Sequence, residues 1–496
     1  MILLLADGLP GGLSHAAGDV LTVLGWLFLV YSLVINTSFL ALTLLAVLDF
    51  RSYIRRLDFA GYDESFGEPL TPGVSILMPA YNESAGIVES VAAMSAMRYP
   101  DFEVVVIDDG STDDTVARLV EAFDMVEVPI VVSRRIPTQG AVQATYLSRQ
   151  GSHNVLLVCK ANGGKADALN VGINAARKPL VCMVDADSIL DPDSLLHVSR
   201  PFADDPERVV ASGGVVRVAN GCTISRGRVV DVRMPRRRLP RIQVVEYLRA
   251  FMIGRAGWSR LGGLLIISGA FGVFRRDVLF ELGGLAHDCI GEDAELVVRL
   301  HRWLGESDVP GRVVFVSEPV AWTEVPQSRA VLRRQRRRWH RGLAEILAKH
   351  RGMLLRPRYG VVGMLALPWF VLFELLAPVV EVLGVAYLAV VLLGYAAQAA
   401  GWLSAPLVDP ALLGGLLAAS LLYTAVLTLS ALLVEELSFR RYHGASDLGR
   451  ALWAVVEENL GYRQLTAWWR LGGVWEAVRR ARPEWGDMQR QGLGKS

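Results

Sequence analysis

Apolar residues are concentrated in two parts of this chain, and the stretch between them has a different pattern. Residues 20–48 contain no charged side chain, and residues 361–434 are almost as apolar. At about 1.5 Å of rise per residue, a helix over 20–48 exceeds a hydrocarbon core of ~30 Å. Between them, residues 73–350 alternate short apolar runs with helical periodicity, which is typical of an α/β domain. The pattern therefore predicts an α/β domain flanked by N- and C-terminal transmembrane helices.

The charges after the first apolar run predict its orientation. Arg51, Arg55 and Arg56 follow it directly, and positively charged residues favour the cytoplasmic side of a membrane helix. We expect residues 1–19 outside the cytoplasm, a transmembrane helix at 20–48 and a cytoplasmic domain at 50–350. No Lys or Arg precedes Arg51, which argues against a cleavable signal peptide.

The second apolar block, residues 360–435, is harder to divide into spans. Residues 376–398 and 412–434 are each long enough to cross a bilayer. Residues 360–373 are apolar but short and contain Pro368, so they predict either a third C-terminal span or an interfacial helix. The arginines of the tail, residues 436–496, favour a cytoplasmic C-terminus and hence two spans here, three in total, with four as the alternative.

Tryptophans among the tail arginines predict amphipathic helices that rest on the bilayer surface. These are Trp453, Trp468, Trp469 and Trp475. Together with the spans, they predict a multi-pass protein of the inner (plasma) membrane, with the lipid bilayer as a partner.

Five short apolar runs in the central domain predict buried strands of a mostly parallel sheet. They cover residues 74–78, 104–107, 130–132, 155–158 and 180–184. Ligands of open α/β sheets bind at the carboxyl ends of the strands. The polar residues that close these runs are therefore candidates for the site: Tyr81, Asn82, Glu83, Asp108, Asp109, Asp185 and Asp187.

Composition excludes several other classes. The 496 residues carry a net charge of only +1, so no strong field points to nucleic acid. No G-x-G-x-x-G follows the first predicted strand, and there is no G-x-x-x-x-G-K-[ST], which disfavours dinucleotide dehydrogenases and P-loop NTPases. The cysteines are far apart and predict reduced thiols rather than a disulfide framework or a zinc site; they are Cys159, Cys182, Cys222 and Cys289.

The first acidic motif, Val106-Ile-Asp-Asp-Gly-Ser-Thr-Asp-Asp-Thr115, lies where a predicted strand turns into a helix. Asp113 and Asp114 suit the first turn of that helix and are interpreted as capping residues. Asp109 can accept hydrogen bonds from a uracil or a ribose, and we interpret it as a ligand-binding residue.

The second acidic motif is Met183-Val-Asp-Ala-Asp-Ser188. In an extended chain Asp185 and Asp187 point to the same side. Two adjacent anions at the end of an apolar strand are unfavourable without a compensating charge. A divalent cation, Mg or Mn, shared with a diphosphate would supply it and would stabilise a nucleoside diphosphate leaving group.

A third acidic group, Glu292 and Asp293, begins a predicted helix at residues 292–304. Acids in a first turn are ordinary capping residues. The functional alternative makes Asp293 the general base that deprotonates an acceptor hydroxyl.

A basic helix over residues 329–341 carries the last motif. Gln335, Arg338 and Trp339 share one helical face; Arg338 can bind a phosphate and Trp339 can stack on a sugar. We expect the remaining arginines of this helix to face anionic lipid headgroups. A nucleic-acid patch is the disfavoured alternative, because no other basic face accompanies it.

Seven motifs in this order resemble the processive family 2 glycosyltransferases, which include cellulose, hyaluronan, chitin and poly-N-acetylglucosamine synthases. They are Pro79-Ala-Tyr-Asn-Glu83, Asp108-Asp-Gly, Gly164-Lys-Ala-Asp-Ala-Leu-Asn170, Asp185-Ala-Asp, Ser268-Gly-Ala-Phe271, Glu292-Asp and Gln335-x-x-Arg-Trp. The similarity covers about residues 70–345. One departure is Gly291 before Glu292-Asp293, where many relatives have threonine.

The resemblance implies a GT-A fold and an inverting, single-displacement transfer from a UDP-sugar. It assigns nucleotide binding to Ala80, Tyr81, Glu83, Asp109, Lys165 and Asp185, and the metal to Asp187 with Asp185. It assigns catalysis to Asp293, as the base, and to the neighbouring Glu292. The acceptor and diphosphate site would comprise Ser268, Gly269, Ala270, Phe271, Gln335, Arg338 and Trp339. Residues 236–265 resemble an interfacial helix.

Three functions stay open at this point. The leading hypothesis is a processive polysaccharide synthase, and the second is a transferase that adds one sugar to a lipid acceptor. The third is a membrane sensor or transporter subunit with a degenerate domain, which the intact acidic motifs disfavour. The expected partners are a UDP-sugar donor and a polysaccharide or lipid acceptor, with an accessory export subunit left open and no nucleic acid.

Overall fold

A computed structural model describes residues 11–57, 71–149, 154–225, 227–439 and 445–479 of the chain. A ten-stranded mixed sheet forms its centre, with the strand order β3-β4-β5-β2-β1-β6-β11-β8-β12-β7. Its strands are β1 Val74–Ala80, β2 Phe102–Asp108, β3 Met125–Glu127, β4 Val142–Ser148, β5 Val155–Lys160, β6 Leu180–Val184, β7 Ile189–Leu190, β8 Val209–Val218, β11 Phe271–Arg275 and β12 Arg312–Thr323. A separate hairpin pairs β9 Thr223–Ser225 with β10 Arg228–Asp231.

Most strands of the large sheet point the same way. Strands β5, β2, β1 and β6 are parallel neighbours. Strand β11 runs antiparallel to both β6 and β8, and β12 is parallel to β8, so β8 and β12 share the direction of β6. The predicted mostly parallel α/β sheet of GT-A type is confirmed. From β1 the chain continues to β2 on one side, whereas β6 is the neighbour of β1 on the other side. The connections diverge there, so a crevice opens at the carboxyl end of β1.

Helices cover both faces of the sheet. On one face, Leu77 and Val105 pack with Leu169, and on the other, Ile76 and Val104 pack with Val91. The helices are α1 Gly11–Leu57, α2 Ile87–Ser95, α3 Thr115–Ala122, α4 Lys165–Ala175, α5 Ser194–Asp204, α6 Arg238–Tyr247, α7 Arg255–Leu261, α8 Arg276–Glu281, α9 Glu292–Ser307, α10 Arg329–Lys349, α11 Leu367–Phe370, α12 Ala377–Ala399, α13 Pro410–Phe439, α14 Ala445–Glu457 and α15 Arg463–Val478. Burial of both faces explains why the central strands are continuous apolar runs.

One predicted strand is wrong. Residues 130–132 are irregular, and Val131 is 96% exposed. Pro129 has no amide hydrogen for a sheet ladder, and the edge of the sheet is formed instead by β3 and β4, which pair as an antiparallel hairpin. The other four predicted strands are confirmed. Six strands of the sheet were not predicted, namely β3, β4, β7, β8, β11 and β12. In β8 and β12, Gly213, Gly214 and Pro319 interrupt the apolar pattern.

Three helical stretches in the described residues are long and apolar enough to cross a membrane: Ala16–Phe50, Val362–Ala399 and Pro410–Ser430. The first shows apolar side chains to the outside along its length, including Val20, Leu27 and Leu44, each about 60% exposed. Residues 360–373 are not a separate helix. Short π-helical turns at Val362–Ala366 and Val371–Leu375 join them to α12 in one continuous stretch.

The predicted interfacial helix and the tail both pack on the sheet domain. Residues 238–261 form α6, a π-helical turn and α7, against which α1 lies. After α13, the helices α14 and α15 return to the domain, and Trp469 is buried there rather than on a bilayer surface. Trp453, Trp468 and Trp475 are more than half exposed. Residues 1–10, 440–444 and 480–496 of the predicted terminal segments lie outside the described residues.

Candidate active site

The carboxyl ends of β1, β2 and β6 open into one cavity of about 1690 Å³. It extends from these strand ends past α9 and α10 to α1, α12 and α13. Its lining includes the following predicted site residues: Ala80, Tyr81, Glu83, Asp109, Lys165, Asp185, Asp187, Ser268, Gly269, Ala270, Glu292, Asp293, Gln335, Arg338 and Trp339. Side chains more than 250 positions apart in the chain therefore share one cavity.

Phe271 is the predicted acceptor-site residue that the cavity does not include. It begins β11, is fully buried and packs among the core residues of one sheet face. Ser268–Ala270 form a turn, closed by the hydrogen bond from the Phe271 amide to the Ser268 carbonyl oxygen at 3.1 Å, so they line the cavity while Phe271 faces the core. The expectation that Phe271 borders an acceptor is therefore corrected to a role in the core.

The Asp109 carboxylate is bound by hydrogen bonds and an ion pair from neighbouring residues. Its Oδ1 accepts a hydrogen bond from the Gly163 amide at 3.0 Å, and its Oδ2 accepts one from the Gly164 amide at 2.8 Å. Lys160 Nζ forms a buried ion pair with Asp109 Oδ1 and lies 2.9 Å from Asp167 Oδ2. Asp109 thus shapes the loop before α4, in addition to lining the cavity. Lys160 was not predicted, although it is a charge at the end of an apolar strand, just as Asp108 and Asp185 are.

Lys165, at the start of α4, connects two of the acidic motifs. Its Nζ lies 2.5 Å from Asp185 Oδ1 and 3.7 Å from Glu292 Oε1. Burial by itself would lower the pKa of Lys165, but the negative charges of Asp185, Glu292 and Asp293 outweigh it and raise that pKa. Burial raises the pKa of Glu292. The positive charge of Lys165 opposes this increase, and the negative charge of Asp293 adds to it. The site therefore holds a fixed ammonium charge among carboxylates.

The two aspartates after β6 lie in a turn rather than in an extended chain. The Ser188 amide donates a hydrogen bond to the Asp185 carbonyl oxygen at 3.0 Å, which reverses the chain after Val184. Both carboxylates nevertheless line the cavity. Within the described residues no group of three or more His, Cys, Asp or Glu side chains is placed to hold a metal. A cation at Asp185 and Asp187 would need further oxygen ligands from a diphosphate or water.

Asp293 is oriented by two backbone amides. Its Oδ2 accepts from the Gly269 amide at 2.8 Å, and its Oδ1 accepts from the Ala294 amide at 2.8 Å. A Cβ on Gly269 would lie 3.0 Å from Asp293 Oδ2, so a larger residue there would displace the carboxylate by a few tenths of an ångström. The Ser268–Ala270 loop and the first turn of α9 are thereby joined beside the cavity.

Glycine at position 291, the departure from the resembling sequences, lies at a helix contact. A Cβ there would lie 3.2 Å from Ile346 Cδ1, and a Cβ on Gly342 would lie 3.3 Å from the Gly291 amide nitrogen. The paired glycines bring the start of α9 close to α10. This contact brings Asp293 and the Gln335 face together.

Three of the six remaining arginines of α10 are paired with carboxylates of the protein. Arg336 and Arg341 are buried, and they pair with Glu246 at 2.6 Å and Glu345 at 2.8 Å. Arg337 pairs with Glu476 of α15. Arg333 and Arg334 are exposed. The lipid-facing interpretation is therefore wrong for the buried pair, because Glu246 of α6 binds Arg336 and Glu345, four residues further along α10, binds Arg341.

A buried arginine was missed altogether. Arg255 lines the cavity, is 9% exposed and stacks on Phe251 with 4.0 Å between the guanidinium carbon and the ring centroid. Burial lowers its pKa to about 9, against the opposing effect of Asp293. In the sequence Arg255 resembles any surface arginine of a helix, and no motif singles it out.

The parallel strand order and the acidic cavity at the strand ends define a glycosyltransferase of the GT-A type. Residues 72–342, more than half of the chain, match the sequence profile of the glycosyltransferase like family 2. The chain belongs to this family.

Among curated proteins, the chain is similar to poly-beta-1,6-N-acetyl-D-glucosamine synthases. The Staphylococcus epidermidis protein is 27% identical over 278 residues, covering 56% of each chain. The Staphylococcus aureus (strain COL) protein is 26% identical with the same coverage. The match thus spans about half the length of these relatives. Among solved structures, a mannosyltransferase from Pyrobaculum calidifontis, in complex with GDP-Man and Mn2+, shares the fold with a TM-score of 0.51 at 18% identity, covering 92% of this chain and 100% of that one.

Proposed function

We propose that the protein transfers a sugar from a UDP-sugar to a growing polysaccharide by an inverting single displacement. One observation carries the proposal: Lys165, Asp185 and Asp293 line a single cavity that also contains the Gln335–Trp339 face. A metal-assisted inverting sugar transfer needs a nucleotide site, a cation for the diphosphate and a base at the acceptor within one cavity.

The donor is proposed to bind at the ends of β1, β2 and β6. Tyr81 is 47% exposed at the cavity wall, where its ring can stack on the base. The loops after β1 and β2 are joined, because Asn82 Oδ1 accepts from the Thr112 amide at 2.8 Å and the Asn82 amide donates to Ser111 Oγ at 2.9 Å. This preformed loop pair, with Ala80, Glu83 and Asp109 beside it, suits a planar base and a ribose.

Asp185 and Asp187 are proposed to hold Mg or Mn together with the diphosphate. Carboxylate oxygens are the ligands these cations prefer, and Lys165 already compensates part of the local negative charge. The cation would stabilise the charge that develops on the leaving diphosphate. The mannosyltransferase that shares this fold was solved with Mn2+.

The chemical step is proposed to depend on Asp293. Its carboxylate accepts the proton of an acceptor hydroxyl, whose oxygen then bonds to the anomeric carbon while the bond from that carbon to the diphosphate oxygen breaks. The Gly269 and Ala294 amides fix the carboxylate orientation. Lys165 stabilises the released diphosphate electrostatically. The acceptor sugar is placed by Trp339, which can stack on its ring, and by Gln335 and Arg338.

A lipid acceptor is the second candidate, because the cavity continues between the apolar helices. Phe28 and Ile35 of α1 and Leu416 of α13 line this part. An acceptor with an apolar tail could lie there with its hydroxyl at Asp293.

The membrane arrangement is also a proposal. The three apolar stretches are proposed to cross the inner membrane, with residues 50–350 and the tail in the cytoplasm, beside the inner leaflet. Cysteine substitutions in loops, labelled from either side of intact cells, would test this topology.

The test of the function is turnover by the purified full chain with labelled nucleotide sugars. UDP-N-acetylglucosamine is the first donor, as the named relatives suggest, and GDP-mannose is included because the structural neighbour was solved with it. We expect a high-mass ladder on a gel that requires Mg²⁺ or Mn²⁺ and is lost in Asp293→Asn. A single lipid-extractable product would support the second candidate, and no turnover with any donor would refute both.

A further inference from the structure

The segment between α14 and α15, together with the first half of α15, forms one wall of the cavity beside the helix that carries Trp339. Glu458, Tyr462, Gln464 and Arg470 line the cavity. Helix α15 packs closely along α10 at Gly473. A Cβ at this position would collide with the carbonyl oxygen of Arg337. Part of the chain that follows the last apolar helix therefore lies at the proposed acceptor site.

A polar relay connects this wall to Trp339. The Tyr462 hydroxyl donates a hydrogen bond to Glu246 Oε2 at 3.0 Å, and Arg336 Nη2 donates to the same oxygen at 2.6 Å. The guanidinium carbon of Arg336 lies 4.7 Å from the centroid of the Trp339 ring. Tyr462 and Arg336 are 6% and 8% exposed, so water competes little with these contacts.

The chain at Tyr462 is fixed on both sides. Gly461 has a φ of 91°, a left-handed conformation that kinks the chain before α15. On one side of the kink, Glu458 accepts two hydrogen bonds from Arg249, at 2.5 and 3.0 Å. On the other side, Gln464 Oε1 accepts from the Gly461 amide at 3.0 Å. The Tyr462 hydroxyl is thereby directed at Glu246.

We propose that Tyr462 and Glu246 are positioning residues that hold Arg336 against Trp339 and so set the orientation of the Trp339 ring for the acceptor sugar. This inference rests on the proposed function, since it needs a sugar at Trp339. Trp339 is 39% exposed at the cavity and would change rotamer easily without a partner on its face. A stacked sugar requires that the ring face stay in one place.

Kinetics of Tyr462→Phe test the relay, with Glu476→Gln as the matched control. Glu476 also links α15 to α10, through Arg337, but neither residue lines the cavity. The donor is UDP-N-acetylglucosamine, and the acceptor probe is a β-1,6-linked N-acetylglucosamine oligosaccharide. Tyr462→Phe should raise the acceptor KM about tenfold, because one hydrogen bond to a charged group is lost. The donor KM should change less than about twofold, and Glu476→Gln should change neither.

A double variant separates positioning from general weakening. If Tyr462 acts through Trp339, then Tyr462→Phe should add little to the acceptor KM of Trp339→Phe. An unchanged acceptor KM in Tyr462→Phe, or the same increase in Glu476→Gln, would overturn the relay.

A measurement that needs no turnover keeps this inference separate from the proposed function. In protein labelled with 5-fluorotryptophan, the Trp339 resonance is assigned by its loss in Trp339→Phe. Tyr462→Phe should shift or broaden that fluorine resonance, and Glu476→Gln should leave it in place. If the wild type turns over no nucleotide sugar, the proposed function fails while this spectrum still decides the relay. An unmoved Trp339 resonance in Tyr462→Phe refutes it.

Discussion

Lys165 Nζ and Asp185 Oδ1 are 2.5 Å apart, and this ion pair joins the start of α4 to the end of β6. The same ammonium lies 3.7 Å from Glu292 Oε1 at the start of α9. One side chain thus connects three separate stretches of the chain at the cavity. This arrangement makes Lys165 the group whose removal should disturb donor binding most directly.

Lys165→Ala should reduce kcat/KM for the UDP-sugar by about 10²–10³, because a positive charge that faces the diphosphate would be lost. Lys165→Arg should recover part of the activity. The control is Lys178→Ala, which removes the ion pair of Lys178 and Asp101 at the other end of the sheet. Steady-state kinetics on the three variants check this, and equal losses in Lys165→Ala and Lys178→Ala would contradict it.

Asp293→Asn should reduce kcat by about 10²–10⁴ while UDP affinity changes less than about twofold. The asparagine keeps the size of the side chain, and its single carbonyl oxygen can still accept from one of the two amides that hold Asp293, that of Gly269 or that of Ala294. Calorimetric UDP binding and turnover, measured on the same preparation, separate the two effects. A parallel loss of binding and turnover would mean that Asp293 is not the base.

Asp187→Ala should remove the dependence of UDP affinity on Mg²⁺ or Mn²⁺, because one of the two proposed carboxylate ligands is lost. Titrating UDP with and without the cation measures this in the variant and in the wild type. Asp193→Ala is the matched control: its carboxylate pairs with exposed Arg98 and does not line the cavity. Metal dependence that survives in Asp187→Ala would rule out the proposed ligand.

Glu295, one turn after Glu292, should stabilise the fold in a pH-dependent way. Burial alone would raise its pKa, but the hydrogen bond from His350 and the charges of Arg299 and Lys349 lower it to about 2. A lowered carboxyl pKa stabilises the folded state above the unfolded value of about 4.5, and the contribution is lost as pH falls through about 2. The shift corresponds to about 3 kcal/mol at neutral pH.

Glu295→Gln should therefore lower the melting temperature at pH 7, and its difference from the wild type should narrow as the pH falls below about 4.5. Thermal unfolding in detergent at several pH values measures both. Glu306→Gln on the same helix is the control. Glu306 forms an exposed ion pair with Arg302, and such a pair contributes less than about 1 kcal/mol to the free energy of unfolding. A melting difference for Glu295→Gln that does not depend on pH would argue against the linkage.

The local pattern of the sequence predicted most of the elements that surround the site. Continuous apolar runs marked β1, β2, β5 and β6, because strands covered on both faces contain few polar residues. The motifs at their ends, at the start of α9 and in the middle of α10 identified residues that share the cavity. Strands β8 and β12 were missed where glycine and proline interrupt the apolar pattern, and β7 is only two residues long.

What the sequence alone determined is where the apolar helices, the buried strands and the acidic strand ends lie, since these depend on residues that are close together in the chain. Only the tertiary structure decided which charges meet. Lys160 pairs with Asp109 across 51 positions, and Tyr462 reaches Glu246 across 216. Such pairings depend on how α15 packs against α10 and how the strands are ordered, and no periodicity along the chain encodes them. Buried charges need partners wherever packing brings them, and at the cavity wall Arg249 finds its partner in Glu458 of the tail, 209 positions away.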